Sequence, residues 1–223
     1  MLSADDQQAL WLSLKLAGVS TTLLLLLGTA LALWLEQARG WWVSLVQALI
    51  ALPLVLPPTV LGFYLLLGFS PTGPIGRFSA ALGMPQLSFS FTGLVLASIV
   101  YSLPFAVQPL LQSFRTVGKA QLELASSLGA GPFDRFFSVR LPLCKHGYLV
   151  AGLLCFAHCL GEFGVALMVG GSIPGETRLL SLQLYDHVES LQWQQAHQLA
   201  LLLLCGCSLL LWLLLRAQRQ AYA

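Results

Sequence analysis

The sequence predicts an all-α protein, a polytopic bundle of transmembrane helices, and three observations carry that prediction. Hydrophobic residues make up 57% of the 223 and charged residues only 9%, with a mean hydropathy of +0.79; a water-soluble domain carries roughly 25% charge. Five apolar stretches are each long enough to cross a hydrocarbon core of ~30 Å, which takes ~20 helical residues. Between the third and fourth lies a polar segment, Glu123 to Pro142, unlike the rest of the chain.

The first span is Leu10–Leu35. It follows MLSADDQQALW, which has two aspartates and no basic start, and no small-x-small cleavage pattern comes promptly after it. It therefore reads as a retained span rather than a signal peptide. The second, Trp42–Phe69, contains Pro53, Pro57 and Pro58. Proline removes a backbone donor and clashes with the preceding turn, and a bilayer tolerates such a break only where freed carbonyls face protein or a wet cavity. Pro57, Pro58 and Thr59 are thus candidates for a pathway or gate; the plainer alternative is that these prolines only shape packing. The loop 70–90 carries turn chemistry.

The third span, Phe91–Ser113, holds Pro104 and Pro109; the fourth is Gly147–Val169 and the fifth Gln198–Leu215. Between the last two, a turn at Ile173–Arg178 precedes an apolar, helical stretch running through Trp193. Too polar to span, it lies at the interface or dips back into the bundle.

An odd number of spans puts the termini on opposite sides, and basic residues set the orientation. With the N-terminus outside, Arg39, Arg115, Lys119, Arg135, Arg140, Lys145, Arg216 and Arg219 are cytoplasmic, and only Lys15, Arg77 and Arg178 are outside or near the outer face. The five cysteines, Cys144, Cys155, Cys159, Cys205 and Cys207, sit in or beside spans and read as packing residues without a disulfide framework.

In the fourth span Cys155, His158, Cys159 and Glu162 fall at i, i+3, i+4 and i+7, one face of a helix. The stripe admits a membrane-embedded metal site and enzyme, but one helix rarely closes a tetrahedral site, so a face turned toward other helices or a wet cavity is preferred, and no metal is expected. Glu162 is its sharpest member, because an ionisable group within a span is costly; it is read as a gate residue or a structural one. No phosphate-binding loop, HExxH or Ser-His-Asp arrangement is found, so no catalytic residues are expected and any driving energy must come from a partner. The aromatic residues form no nucleic-acid platform.

The polar segment reads as a helical hairpin, with a helix-forming start, a break at Gly129, a short second helix and a stop at Pro142. Glu123-Leu124-Ala125, three residues, Gly129, nine residues and Val139-Arg140-Leu141-Pro142 resemble the EAA loop of ABC-importer permeases. Leu124 replaces the second Ala of that pattern and Val139 its Ile. With LPLVLPPTVLGFYLLL (52–67), YSLPFAVQPL (101–110), GEFGVALMVGGSIPGETR (161–178) and YDHVE (185–189), the chain resembles the permease subunits of molybdate importers over nearly its whole length.

That resemblance implies a type I ABC-importer permease fold as a single domain, 1–223, with its coupling loop at 114–146. Because the chain opens directly on the first core span, five spans are expected. It further implies a homodimer in the bacterial inner membrane, two ATP-hydrolysing subunits that dock on Glu123, Leu124, Ala125, Gly129, Val139, Leu141 and Pro142, and a periplasmic molybdate-binding protein. ATP and Mg would be bound by the partner ATPase and no cofactor by this chain. Pro174, Gly175, Glu176 and Arg178 are candidates for docking the binding protein, although Arg178 could equally pair with Glu176 or Asp186 and hold the loop. Tungstate and sulfate or thiosulfate remain alternative cargoes, and a non-transporting scaffold an alternative role.

Overall fold

The structure, a computed structural model, describes residues 2–117 and 119–221; residue 118, within the expected coupling loop, lies outside them. Every regular element among the described residues is helical. The longest are α1 (Ala4–Gln37), α5 (Phe91–Thr116) and α12 (Trp193–Ala221). Each is apolar and long enough to cross a bilayer unaided. The other two expected spans are broken, and the breaks organise the molecule.

The second span divides into α2 (Trp41–Ala51), a 3₁₀ turn at Leu52–Leu54 and α3 (Pro58–Phe69). With α4 (Pro74–Ala81) following, the two halves of this segment meet at 109°. The prolines thus produce a break rather than a gentle kink. Pro58 opens α3, where no intrahelical N–H is required. The loop expected over 70–90 contains α4, whose start at Pro74 follows the same rule. Pro104 and Pro109, by contrast, sit inside a continuous α5.

The fourth span is also interrupted. α9 (Lys145–Leu160) stops at Gly161, and α10 (Gly164–Gly170) begins three residues later. Ahead of α9 the hairpin is built from α6 (Lys119–Ser127), α7 (Pro132–Asp134), a π-helical turn at Arg135–Arg140 and α8 (Leu141–Leu143). This segment meets α9 at 73°. Pro142 does not stop the hairpin, as the sequence suggested. It lies within a continuous helical run, directly after the π-helical turn whose Leu141 N–H bonds the Phe136 carbonyl, and the chain bends at Cys144 instead.

The core is α1 against α5 and α9. Leu35, Val107, Leu110 and Phe114 fill it at one end, and Leu12, Leu16 and Leu94 at the other. A Cβ on Gly28 would lie 2.9 Å from that of Ala106, so the glycine lets α1 and α5 touch. The stretch expected to run helically through Trp193 resolves into α11 (Leu180–Glu189), packed on α1 and α12, with Trp193 already the first residue of α12.

Exposed tryptophans mark two levels on the surface. Trp11 and Trp193 stand at one end; Trp34, Trp41, Trp42 and Trp212 stand at the other. At 1.5 Å per residue, Trp11 to Trp34 spans ~35 Å and Trp193 to Trp212 ~29 Å, the separation of the aromatic belts at the two faces of a hydrocarbon core. Between them leucines such as Leu26, Leu204 and Leu211 are exposed.

Gly62 carries the contact of α3 with α10, since a Cβ there would meet the Met168 Cβ at 2.9 Å and the Val165 Cα at 3.1 Å. Gly62→Val is expected to force these helices apart and to destabilise the protein by about 1–3 kcal/mol. Gly18→Ala, with nothing within 4 Å of the new carbon, should leave thermal melting in detergent unchanged or slightly raised. Equal melting of the two variants would refute the close packing.

Candidate functional sites: a coupling hairpin, two facing helix breaks and an outer latch

The hairpin is closed by glycine chemistry. Gly129 has φ +89°, in the left-handed region that favours glycine. Its N–H donates to the Ser126 carbonyl and that of Ala130 to Ala125, the paired bonds that terminate a helix at a left-handed residue. On the two sides of the turn, Leu124 and Leu128 before it and Phe133 and Phe137 after it project large apolar surfaces into solvent. A contiguous exposed apolar patch on a polar segment marks an interaction surface. Glu123, Gly129 and Pro142 are exposed as well, while Ala125, Val139 and Leu141 are half-buried and support the patch from behind.

The hairpin is tied to the membrane helices by one ion pair that the sequence did not reveal. Arg140 sends Nη1 to Glu36 Oε2 at 2.7 Å and Nη2 to Oε1 at 3.1 Å, and its guanidinium lies 5.3 Å from the centre of the Phe114 ring. Both partners are largely buried, and they form one wall of a cavity of about 510 Å³ with Arg39 and Arg135. The pair fastens the hairpin to the end of α1.

The two breaks in the spans face each other. A Cβ on Gly164 would come 2.8 Å from the Pro58 Cβ, so the start of α10 rests on the start of α3. Pro57, Pro58 and Thr59 are all exposed beside this contact. Glu162, 3% exposed, lies in the second break. Ser98 donates to its Oε2 at 2.5 Å and Ser181 to its main-chain carbonyl; Oε1 has no partner among the described residues.

The stripe expected over Cys155, His158, Cys159 and Glu162 is therefore incomplete. α9 ends at Leu160, which removes Glu162 from the face shared by the other three. Those three turn toward α5. Ser102 Oγ lies 2.8 Å from His158 Nδ1 and 3.3 Å from Cys159 Sγ, and the imidazole packs between Tyr101 and Phe105. Among the described residues no three His, Cys, Asp or Glu side chains are grouped to hold a metal. Cys155, Cys159 and Cys144 are buried packing residues, but Cys205 is exposed on α12. Ser98 and Ser102 carried a sequence signal, two serines one turn apart in an apolar span, that motif reading passed over.

At the opposite end the Ile173–Arg178 turn is stapled internally. Thr177 Oγ1 donates to the Gly170 carbonyl at 2.6 Å and accepts the Ile173 N–H at 2.9 Å, leaving Ile173, Pro174, Gly175 and Glu176 exposed as its tip. Arg178 pairs with Asp186 at 3.4 Å and donates to the Ser172 carbonyl, the structural alternative the sequence left open.

Beside this turn α1 grips α11. The Ser13 hydroxyl accepts the Leu180 N–H at 2.7 Å, capping a helix whose own N-cap residue, Leu179, cannot. Asp6 Oδ1 lies 2.8 Å from His187 Nε2 and accepts from Gln183 at 3.1 Å. Burial alone would lower the His187 pKa, but hydrogen bonds to the Asp6 and Gln192 oxygens and the charges of Asp6 and Asp186 outweigh it and raise the pKa above its usual value.

Residues 25–220 match the family model described as "Binding-protein-dependent transport system inner membrane component". The chain belongs to that family. The molybdenum transport system permease protein ModB of Azotobacter vinelandii is 52% identical over 199 residues, 89% of this chain and 88% of that protein. The ModB protein of Mycobacterium bovis is 44% identical over 81% of this chain and 68% of its own length. The fold is similar to that of a bacterial alginate ABC transporter solved with its pentasaccharide-bound periplasmic protein, with a TM-score of 0.76 over 98% of this chain and 79% of that one, at 16% identity. The protein is thus a multi-pass, all-α membrane protein of the ABC-importer permease class.

Two predictions follow from these geometries. Arg140→Met is expected to destabilise the protein by roughly 3 kcal/mol, because it leaves the Glu36 carboxylate largely buried without its partner. The double variant Arg140→Met with Glu36→Leu should recover most of the loss in detergent melting; no recovery would show that the pair is not the source. For His187, a raised native pKa means that the charged latch contributes fully below the unfolded value of about 6.5 and is lost as pH rises through the native value. His187→Asn should therefore lower the melting temperature more at about pH 6 than at about pH 9, and a pH-independent difference would refute the charged latch.

Proposed function

We propose that this chain is the channel-forming subunit of an ATP-driven importer that moves molybdate from periplasm to cytoplasm by alternating access. The observation that carries this reading is the hairpin 119–144, which puts an exposed apolar patch on a glycine-closed turn and clamps it to α1 through Arg140–Glu36, in a chain 52% identical to a molybdenum permease. The subunit is not itself an enzyme. Two separate ATPase subunits, which bind ATP and Mg, dock on Glu123, Leu124, Ala125, Gly129, Val139, Leu141 and Pro142.

The functional unit contains two copies of this chain in the bacterial inner membrane, with the N-terminus periplasmic and the C-terminus cytoplasmic. Asp6 and Glu36, 30 residues apart on α1, lie ~45 Å from each other, the thickness of a bilayer with its headgroups. This supports a periplasmic latch at one end and a cytoplasmic hairpin at the other. Closure of the ATPases moves the hairpin and α1. The facing breaks at Pro57–Thr59 and Gly161–Phe163 then act as the gate, because interrupted helices can pivot where continuous ones cannot. A periplasmic molybdate-binding protein docks on the exposed tip Pro174–Glu176; Arg178 holds that tip through Asp186 and sits at its base. Selectivity rests mainly with the binding protein, since a pathway that must release an anion cannot hold it tightly.

Uptake of labelled molybdate by vesicles carrying the whole complex tests the reading, with tungstate and sulfate as competitors. Loaded binding protein and ATP should both be required; uptake without ATP, or none with it, would overturn the proposal. In the same vesicles Glu123→Lys or Gly129→Asp should abolish uptake while the permease remains inserted at wild-type levels. Normal uptake by both variants would remove the hairpin from the coupling route.

A further inference from the structure

The polar residues on one face of α5 are unusual for a membrane span. Gln108, Gln112 and Arg115 follow at i, i+4 and i+7, so they form one stripe, and all three are exposed. Their depth follows from the helix packing. Gly28 faces Ala106, and Phe114 shares a cluster with Leu35, so α1 and α5 run parallel in near register. Gln112 therefore lies level with Trp34, within the aromatic belt, and Gln108 one turn deeper in the hydrocarbon zone.

A primary amide presented to lipid tails would forfeit its hydrogen bonds. An exposed stripe of amides at this depth therefore faces water or another polar occupant. Across from it, Gln47 of α2 completes a cavity of about 440 Å³, floored by apolar residues such as Val107 and Leu111. Its lining contains three carboxamides and one guanidinium and no carboxylate. Arg115 joins none of the ion pairs found among the described residues.

We infer that this cavity is a transient binding site for a tetrahedral oxyanion on the hairpin side of the gate, with Gln47, Gln108 and Gln112 as neutral donors and Arg115 drawing the anion toward the hairpin side. This rests on the proposed import of molybdate and adds to it the residues that handle the anion inside the membrane. The chemistry suits a step that must bind and release. A dianion with four acceptor oxygens is well matched by N–H donors, which replace part of its hydration shell. Because the amides carry no net charge they do not trap it, and a single guanidinium at the mouth gives the field a direction. A carboxylate anywhere on this wall would oppose entry.

The inference predicts an effect that depends on the sign of charge. Gln112→Glu and Gln112→Lys are to be compared in vesicles holding the complete complex, with labelled molybdate as the probe. Uptake by Gln112→Glu is expected to fall roughly tenfold or more, since like charges at close range in a partly desolvated cavity repel strongly. Uptake by Gln112→Lys should fall clearly less, because an added cation does not oppose the anion's entry and slows only its release. Equal loss by both variants would mean that the glutamine serves packing, and equal retention that the anion does not pass it; either result overturns the inference, as does a loss confined to lysine. Failure of wild-type vesicles to take up molybdate would instead refute the importer reading on which the inference depends.

Discussion

A bilayer core supplies no water to a freed backbone group or a buried carboxyl, so every departure from helix within a span must be satisfied by the protein itself. This chain departs twice, before Pro58 and at Gly161–Phe163, and much of the interior arrangement follows from how those departures are accommodated. The breaks rest on each other through Pro58 and Gly164. Ser181 satisfies the exposed carbonyl of Glu162, and Ser98 satisfies one of its carboxylate oxygens. The other oxygen has no partner among the described residues. A joint between two half-helices is where the proposed gate pivots, because an interrupted helix can bend where a continuous one cannot.

The unbroken helix α1 complements these joints. It is pinned at one end by Asp6 and Ser13 to α11 and at the other by Glu36 to the hairpin. An unbroken helix with specific polar contacts at both ends suits the coupling role proposed for it, and the broken spans suit the proposed gate. The π-helical turn at Arg135–Arg140 places the arginine that makes the lower connection, and such turns are frequent where function requires a side chain to be re-aimed. The cavity beside Gln108 and Gln112 opens on the same side as that connection, so the proposed anion site and the proposed coupling element are neighbours on one end of the bundle.

Much of the fold was legible because it is written in one-dimensional quantities. Run lengths of apolar residues located the spans, prolines 53, 57 and 58 located the first break, and Gly129 located the hairpin turn, which needs a left-handed residue. Local rules also misled where they were applied without context. Pro142 suggests a stop, but the helical run continues through it after a π-helical turn and ends only at Cys144. The segment 70–90 was read as loop because its turn residues are conspicuous, although Pro74 starts a helix there. Glu162 was placed on a continuous stripe because spacing alone cannot show that Gly161 ends the helix.

What the sequence by itself determined is the membrane class, the positions of the long helices and the hairpin motif, all properties of composition, run length and local conformational preference. Tertiary structure alone decided the partners. Arg140 finds Glu36 across 104 residues, Asp6 finds His187 across 181, and Ser13 caps a helix 167 residues away. It also decided which polar groups in the spans are hidden against neighbours, as His158 is, and which are left facing a cavity, as Gln108 and Gln112 are. The reason is that a span's sequence records how far it is from water, while the direction each side chain faces depends on the crossing of helices that only packing sets.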